Sequence, residues 1–336
     1  MTVIDAHLHC TGRERTGDVL RSLDEARIDQ AVLLAPFLGD GYSLDDRGSL
    51  ERANAHLGEL VRHHPDRLVG FAVVDPRDPQ APTMLRRAVE RGGLRGVKMV
   101  PTGWYPYDAH VQPTFAVASE LQLPILFHSG IFIDGRSGRF CRPSFFEVLR
   151  DHPGTRVALA HLGWPWTDEA IAVGLIDRIH GVPADDAQFR FDISFGPPPP
   201  YRFEVLKRAL EVLGAESLQF GSDCFLPCPG AQIAERRGWV ETLLDELEVG
   251  PAERQRIMGG TAAAWLRLAQ RPPSYAPPSY APAEAAAPSP VPAPAPAQGA
   301  GTATPRHRLF GGAGSSDEPA GGSRWGGPRR WAPICC

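Results

Sequence analysis

The chain has 336 residues, 43% hydrophobic and 22% charged, and 35 basic against 39 acidic side chains give a formal net charge of −4. That composition is ordinary for a globular protein and excludes the broad polycation that nucleic acid requires. No run approaches the roughly 18 apolar residues of a membrane span, and the start MTVIDAHLHC carries no signal-peptide pattern, so the cytoplasm is the expected compartment.

Short apolar and β-branched runs recur along residues 1–270 and are read as strands at 2–8, 30–36, 68–74, 95–100, 124–128, 156–161, 189–195 and 217–222. Segments with apolar residues at helical spacing separate them, as with Val19, Leu20, Leu23 and Ala26, or Phe115, Val117, Ala118 and Leu121. The runs are too continuously apolar for half-exposed strands, which suits a parallel sheet covered by helices. Eight such units predict a (β/α)8 barrel followed by a closing helix over 252–269. A doubly wound sheet competes, but its glycine-rich phosphate loop after the first strand is absent.

Composition changes sharply after residue 270. Residues 271–336 hold 14 Pro, 14 Ala and 9 Gly and only four residues from Leu, Ile, Val and Phe; they open with the tandem repeat PSYAP–PSYAP at 273–282. Such a tail cannot offset its own ordering entropy and is expected to be disordered. The domain reading is therefore a barrel over 1–270 and a low-complexity tail over 271–336. Deleting the tail is expected to leave the thermal midpoint and turnover nearly unchanged, which melting curves of the full and shortened chains would check. The six cysteines, at 10, 141, 224, 228, 335 and 336, have no zinc-knuckle or disulfide-framework spacing and are read as free thiols.

Chemistry-bearing residues collect at the predicted strand ends, where barrels place their active sites. His7 and His9 close the first strand as H-L-H. Residues i and i+2 share a strand face, so both imidazoles can reach one metal while Leu8 packs outward. His128 ends the fifth strand, His161 the sixth, and Asp223 follows the eighth. Any one of these can cap a loop or helix instead, but imidazole and carboxylate recurring at four strand ends point to a metal site. Around the mouth, Trp104 and Trp164 are candidate substrate-pocket aromatics, and Arg139 is a candidate fork for a substrate carboxylate. Asp192 and Ser194 read equally well as inward polar residues bonded to backbone.

The segments DAHLH at 5–9, FHSG at 127–130, AHLG at 160–163 and GSDCF at 221–225 resemble the amidohydrolase superfamily. The nearer likeness is to its amidohydrolase-related branch of metal-dependent hydrolases and decarboxylases, such as aminocarboxymuconate-semialdehyde decarboxylase. MGGTAAAWL at 258–266 resembles the closing helix of that family, with Thr261 where its members usually carry Asn. The resemblance implies that His7, His9, His128 and Asp223 bind or adjoin one divalent metal, most simply Zn2+, with Mn2+, Fe2+ and Ni2+ as alternatives. It implies catalytic roles for His161, as acid/base or electrophile, and for Asp223, as the group that shuttles a proton. Lys98, in GVKMVP, is open among a substrate-side role, a barrel-wall position and the bridge of a two-metal site. The expected activity is hydrolysis of an amide, lactone or ester of a small organic substrate. Metal-dependent decarboxylation of an aromatic or enoic acid is the alternative, and an inactive scaffold recruiting partners through the Pro-rich tail is a third reading. The expected partner is a small-molecule substrate, with neither nucleic acid nor membrane, and a homodimer is compatible with the sequence.

Overall fold

The computed structural model describes residues 1–39, 41–132, 136–194 and 197–268; the tail expected to be disordered lies outside the described residues. The chain runs β1 (Ile4–His9), α1 (Thr16–Glu25), β2 (Gln30–Leu34), α2 (Arg47–Val61), β3 (Leu68–Val73), α3 (Ala81–Glu90) and β4 (Gly96–Met99). It continues through α4 (Gln112–Glu120), β5 (Pro124–Phe127), β6 (Arg156–Leu159), α5 (Thr167–Ile179), β7 (Phe189–Asp192) and α6 (Pro199–Leu213). Last come β8 (Leu218–Gln219), β9 (Cys224–Phe225), α7 (Gly230–Glu246), α8 (Pro251–Gln255) and α9 (Thr261–Leu266). A turn of π-helix over Arg256–Gly260 joins α8 to α9.

Each strand pairs in parallel with the next, in the order β8-β7-β6-β5-β4-β3-β2-β1-β9. β8 and β9 occupy one eighth position: the first piece pairs with β7 and the second with β1. The Ala6 amide donates to the Phe220 carbonyl at 3.0 Å and the Asp223 amide to the His7 carbonyl at 2.8 Å, so the seam between first and eighth positions is stitched on both sides of the break. The barrel read from the sequence is thus present, with its eighth strand interrupted. After β5 the expected α-helix is replaced by a 3-10 run, Pro143–Asp151. Phe146 and Leu149, three residues apart, are both buried, and Phe146 lies 4.7 Å from Phe127. A three-residue repeat matches that spacing better than 3.6 does.

Two layers of apolar side chains result. Inside the barrel, Ile4, Ala6, Val32, Val69 and Phe71 meet Ala262, Trp265 and Leu266 from α9, which plugs the end opposite the strand C-termini. Trp265 donates from Nε1 to the Arg156 carbonyl at 3.0 Å and packs 5.2 Å from Phe71. Thr261 bonds the Ala215 carbonyl at 3.1 Å, so this hydroxyl ties the closing helix to the loop before β8. Outside, helices cover the sheet through residues such as Val19, Leu57, Leu85, Phe115 and Leu206. Cys10, Cys141, Cys224 and Cys228 are free thiols. Among the described residues no helix is long and apolar enough to cross a membrane.

Candidate metal centre

The register of β1 against β2 shifts between Asp5 and Leu8. Before the shift Ile4 and Ala6 fill the barrel interior; after it Leu8 packs in the outer layer. Strict alternation from Ile4 would have turned Leu8 inward, so the irregularity re-aims the strand end and lets His7 and His9 face the mouth. Asp5 Oδ1 holds the irregularity, accepting from the amides of His7 at 3.1 Å and Ser222 at 2.9 Å. Burial pushes the Asp5 carboxyl up to about 7.

His7 Nε2 lies 3.0 Å from His9 Nε2 and 3.3 Å from Asp223 Oδ1, and His9 Nε2 lies 3.1 Å from that same oxygen. The donor atoms of these three buried residues all fall within 4.8 Å of one another. Asp223 reaches the cluster from a left-handed backbone at φ 56, in the break of the eighth strand. Gly221, two residues earlier, is needed there: a Cβ on it would come within 2.7 Å of the His7 Cβ. His161 and its neighbour Leu162 also have positive φ, 60 and 49, which stops β6 at Leu159 and swings the imidazole over the mouth. Such conformations cost roughly 1–3 kcal/mol each and persist where the surroundings impose them.

His161 Nδ1 lies 2.9 Å from Ser194 Oγ, and Ser194 Oγ donates to Asp192 Oδ2 at 2.8 Å. The same Asp192 oxygen meets His7 Nδ1 at 2.5 Å, which places the ring proton on Nδ1 and leaves the Nε2 lone pair for the cluster. Asp192 and Ser194, which the sequence left open between a site role and ordinary inward polar positions, therefore orient His7 and His161. The pattern D-x-S at a strand end has the same two-residue spacing as H-x-H, and that was the available signal. Lys98 Nζ sits at the edge of the donor cluster, 3.3 Å from His7 Nε2. His128 stands apart from it: its ring stacks on Phe132 at 4.0 Å and its Nε2 faces the Ile131 carbonyl at 3.2 Å.

Burial is the largest influence on every imidazole here, holding His7, His9, His128 and His161 below the ordinary histidine value, with the Lys98 charge adding to it. Neutral rings are the ligating form. Burial pushes Asp192 up to about 6. Burial also opposes ionisation of Asp223, but the His7, His161 and His9 rings outweigh it and hold that carboxyl below the ordinary range.

His9, Lys98, His128, His161 and Asp223 line one pocket, whose remaining walls include Phe37, Phe132 and Arg136. The other expected substrate residues lie elsewhere. Trp104 is 1% exposed and packs 6.3 Å from Phe115, filling space behind the barrel wall. Arg139 is exposed and its guanidinium covers Phe140 at 4.6 Å. Trp164 is half-buried, 6.0 Å from the Tyr201 ring. Arg136, three residues before Arg139, takes the place at the pocket. Gly130 sets this loop: at φ +91 its Cβ would fall 2.2 Å from the Trp164 carbonyl oxygen, so only glycine fits.

The donor set fits a divalent cation. Two neutral imidazoles and one anionic oxygen, buried and converging, match the three protein ligands of catalytic sites that keep one position open. Asp192→Asn should weaken metal binding by about 10–100-fold, because the amide cannot hold His7 in the same tautomer as firmly. Competition with a chromophoric chelator would measure it.

A family model described as Amidohydrolase matches residues 4–268. The chain has no significant match among curated proteins. Among solved structures it is similar to the 5-carboxyvanillate decarboxylase of Sphingomonas paucimobilis, with 18% identity and a TM-score of 0.58 over 79% of this chain and 99% of that one. It is also similar to a dihydroxybenzoic acid decarboxylase from Polaromonas sp. JS666 with bound manganese and the inhibitor 2-nitroresorcinol, at 18% identity and TM-score 0.57, covering 80% of this chain and 98% of that one. A probable 2-pyrone-4,6-dicarboxylic acid hydrolase from Acinetobacter baumannii, with citric acid bound, aligns at 15% identity and TM-score 0.53 over 80% and 100% of the two chains. At these identities the likeness establishes the TIM-barrel fold.

Proposed function

The chain belongs to the amidohydrolase family, and from that premise we propose that residues 1–270 form a hydrolase dependent on one divalent metal, Zn2+ in the simplest case. Its substrate is a small planar carboxylate carrying an ester, lactone or amide bond. The observation that carries this reading is the convergence of His7, His9 and Asp223 within 4.8 Å beside the neutral imidazole of His161. A divalent cation held by that triad supplies Lewis acidity, which brings the ionisation of water from near 15.7 down to about 7.

The side chains divide the remaining work. Asp223, held ionised, accepts the proton of the attacking water and delivers it to the leaving group. His161, whose Nδ1–H donates to Ser194 Oγ, presents an unprotonated Nε2 to the pocket, placed to take up a proton and return it to the leaving group as acid/base. Lys98 and Arg136 give the pocket two cations suited to a substrate carboxylate, and Phe37 and Phe132 give apolar faces for a planar body. These same cations and faces favour one second reading, release of CO2 from a carboxylated ring with the proton passing to carbon.

Product analysis separates the two. The metal-loaded protein is to be offered lactones, amides, esters and aromatic acids in 18O-labelled water. Label in a new carboxylate supports hydrolysis; CO2 release with no label incorporated moves the assignment to decarboxylation. Lys98→Met should leave one equivalent of metal in place while raising KM about 10–100-fold, the worth of a charge-assisted hydrogen bond of roughly 1.5–3 kcal/mol. Two equivalents in the unaltered protein, falling to one in the variant, would instead make Lys98 a metal bridge.

A further inference from the structure

Two thiols lie next to the metal cluster in the chain and take no part in it. Cys224 opens β9 directly after Asp223, and Cys228 ends the turn that leads into α7. Cys224 is buried and pairs in register with Leu8, whereas Cys228 is half-buried between the exposed Pro227 and Pro229. Their side chains meet, the Cys224 S–H donating to the Cys228 sulfur. That bond outweighs burial and the Asp5 charge to draw the Cys228 thiol below its ordinary value, while Cys224 is pushed up. The more accessible sulfur is thus the nucleophile, and the buried one stands behind it as its resolving partner.

We propose that Cys224 and Cys228 form a reversible oxidation site for hydrogen peroxide, and that their disulfide loosens Asp223 from the metal cluster. The Cys228 thiolate attacks one peroxide oxygen; the S–O bond forms, the O–O bond breaks, and the departing hydroxide takes up a proton as water. The Cys224 sulfur then attacks the sulfenic sulfur, and its proton leaves with the second hydroxide as water. Two thiols lose two electrons and two protons, and one peroxide becomes two waters. The effect on metal rests on the reading of His7, His9 and Asp223 as its ligands. Closure draws the sulfurs from contact to bonding distance. Ser22 Oγ donates to the Cys228 carbonyl at 2.8 Å and the Gly230 amide to Glu25 Oε2 at 3.2 Å, so that end is anchored to α1. The movement falls on the Cys224 end, where Asp223 holds its left-handed backbone and the Phe225 ring stacks on His9 at 4.5 Å. A carboxylate oxygen that must face two imidazoles at 3.3 Å and 3.1 Å tolerates little displacement.

Peroxide treatment of the metal-loaded full chain, followed by peptide mapping and chelator competition, tests both steps. A Cys224–Cys228 cross-link is expected, with metal affinity lowered about 10-fold or more and restored by dithiothreitol. Cys228→Ser should form no such cross-link and keep its metal affinity through the treatment. Mapping of the unaltered chain decides the cross-link even if that variant folds poorly. Two surviving thiols, or Cys228 running on to the sulfinic acid, overturn the proposal. So does a cross-linked chain that keeps its full metal affinity. A reduced chain that binds no metal overturns the ligand reading and the effect on Asp223 together, whereas the thiol pair still stands or falls by the mapping.

Discussion

Replacing either His7 or His9 by alanine should strip the protein of metal. The two Nε2 atoms stand 3.0 Å apart and face one Asp223 oxygen, so each imidazole is one of the three donors that the described residues bring into the cluster. If three ligands share a binding free energy of about 10–16 kcal/mol, losing one removes roughly 3–5 kcal/mol, or 10²–10⁴ in affinity. Metal analysis after dialysis should therefore find well under one equivalent in both variants. Thermal midpoints measured without metal should change less, because neither imidazole contributes to the apolar layers. Retention of a full equivalent in both would mean that the cation is held elsewhere, with His128 and His161 the next candidates.

His161→Asn should separate metal binding from chemistry. His161 lies beside the donor cluster, with its ring centroid 5.4 Å from that of His7, and its Nδ1 is engaged by Ser194. Asparagine can still donate a hydrogen bond but cannot exchange a proton near neutrality. Loss of acid/base help typically lowers turnover by 10²–10⁴, about 3–5 kcal/mol of transition-state stabilisation. Metal content should stay at the unaltered level while turnover falls by that factor. Joint loss of metal and activity would make His161 a ligand and revive the two-metal arrangement; full activity would reduce it to a loop-capping histidine.

The sequence made the elements legible because a parallel barrel repeats one signal eight times. Each candidate strand overlaps an observed one, and His7, His9, His161 and Asp223 stand at the mouth as their positions implied. Less legible were the residues that reach the pocket from loops. Trp104 and Arg139 have the right chemistry and lie in the right segments, yet one is buried behind the wall and the other covers Phe140. Loop direction depends on contacts with other loops, as when the Gly130 backbone passes against the Trp164 carbonyl, and no local spacing encodes that.

Hydrophobic periodicity and residue types at strand ends were thus enough to read the barrel, the candidate donor residues and the face on which they lie. Both depend only on side-chain alternation and on the chain direction of parallel strands. Tertiary structure decided which of those ligands converge. The register shift in β1 turned His7 and His9 to the mouth, and the break between β8 and β9 brought Asp223 across to them. The Ile131 carbonyl and the Phe132 ring drew His128 aside, and Asp192 became the partner of a histidine 185 positions away in the chain. Those outcomes rest on contacts between segments remote in sequence, where a displacement of one residue or a few ångströms decides whether a donor atom joins the cluster.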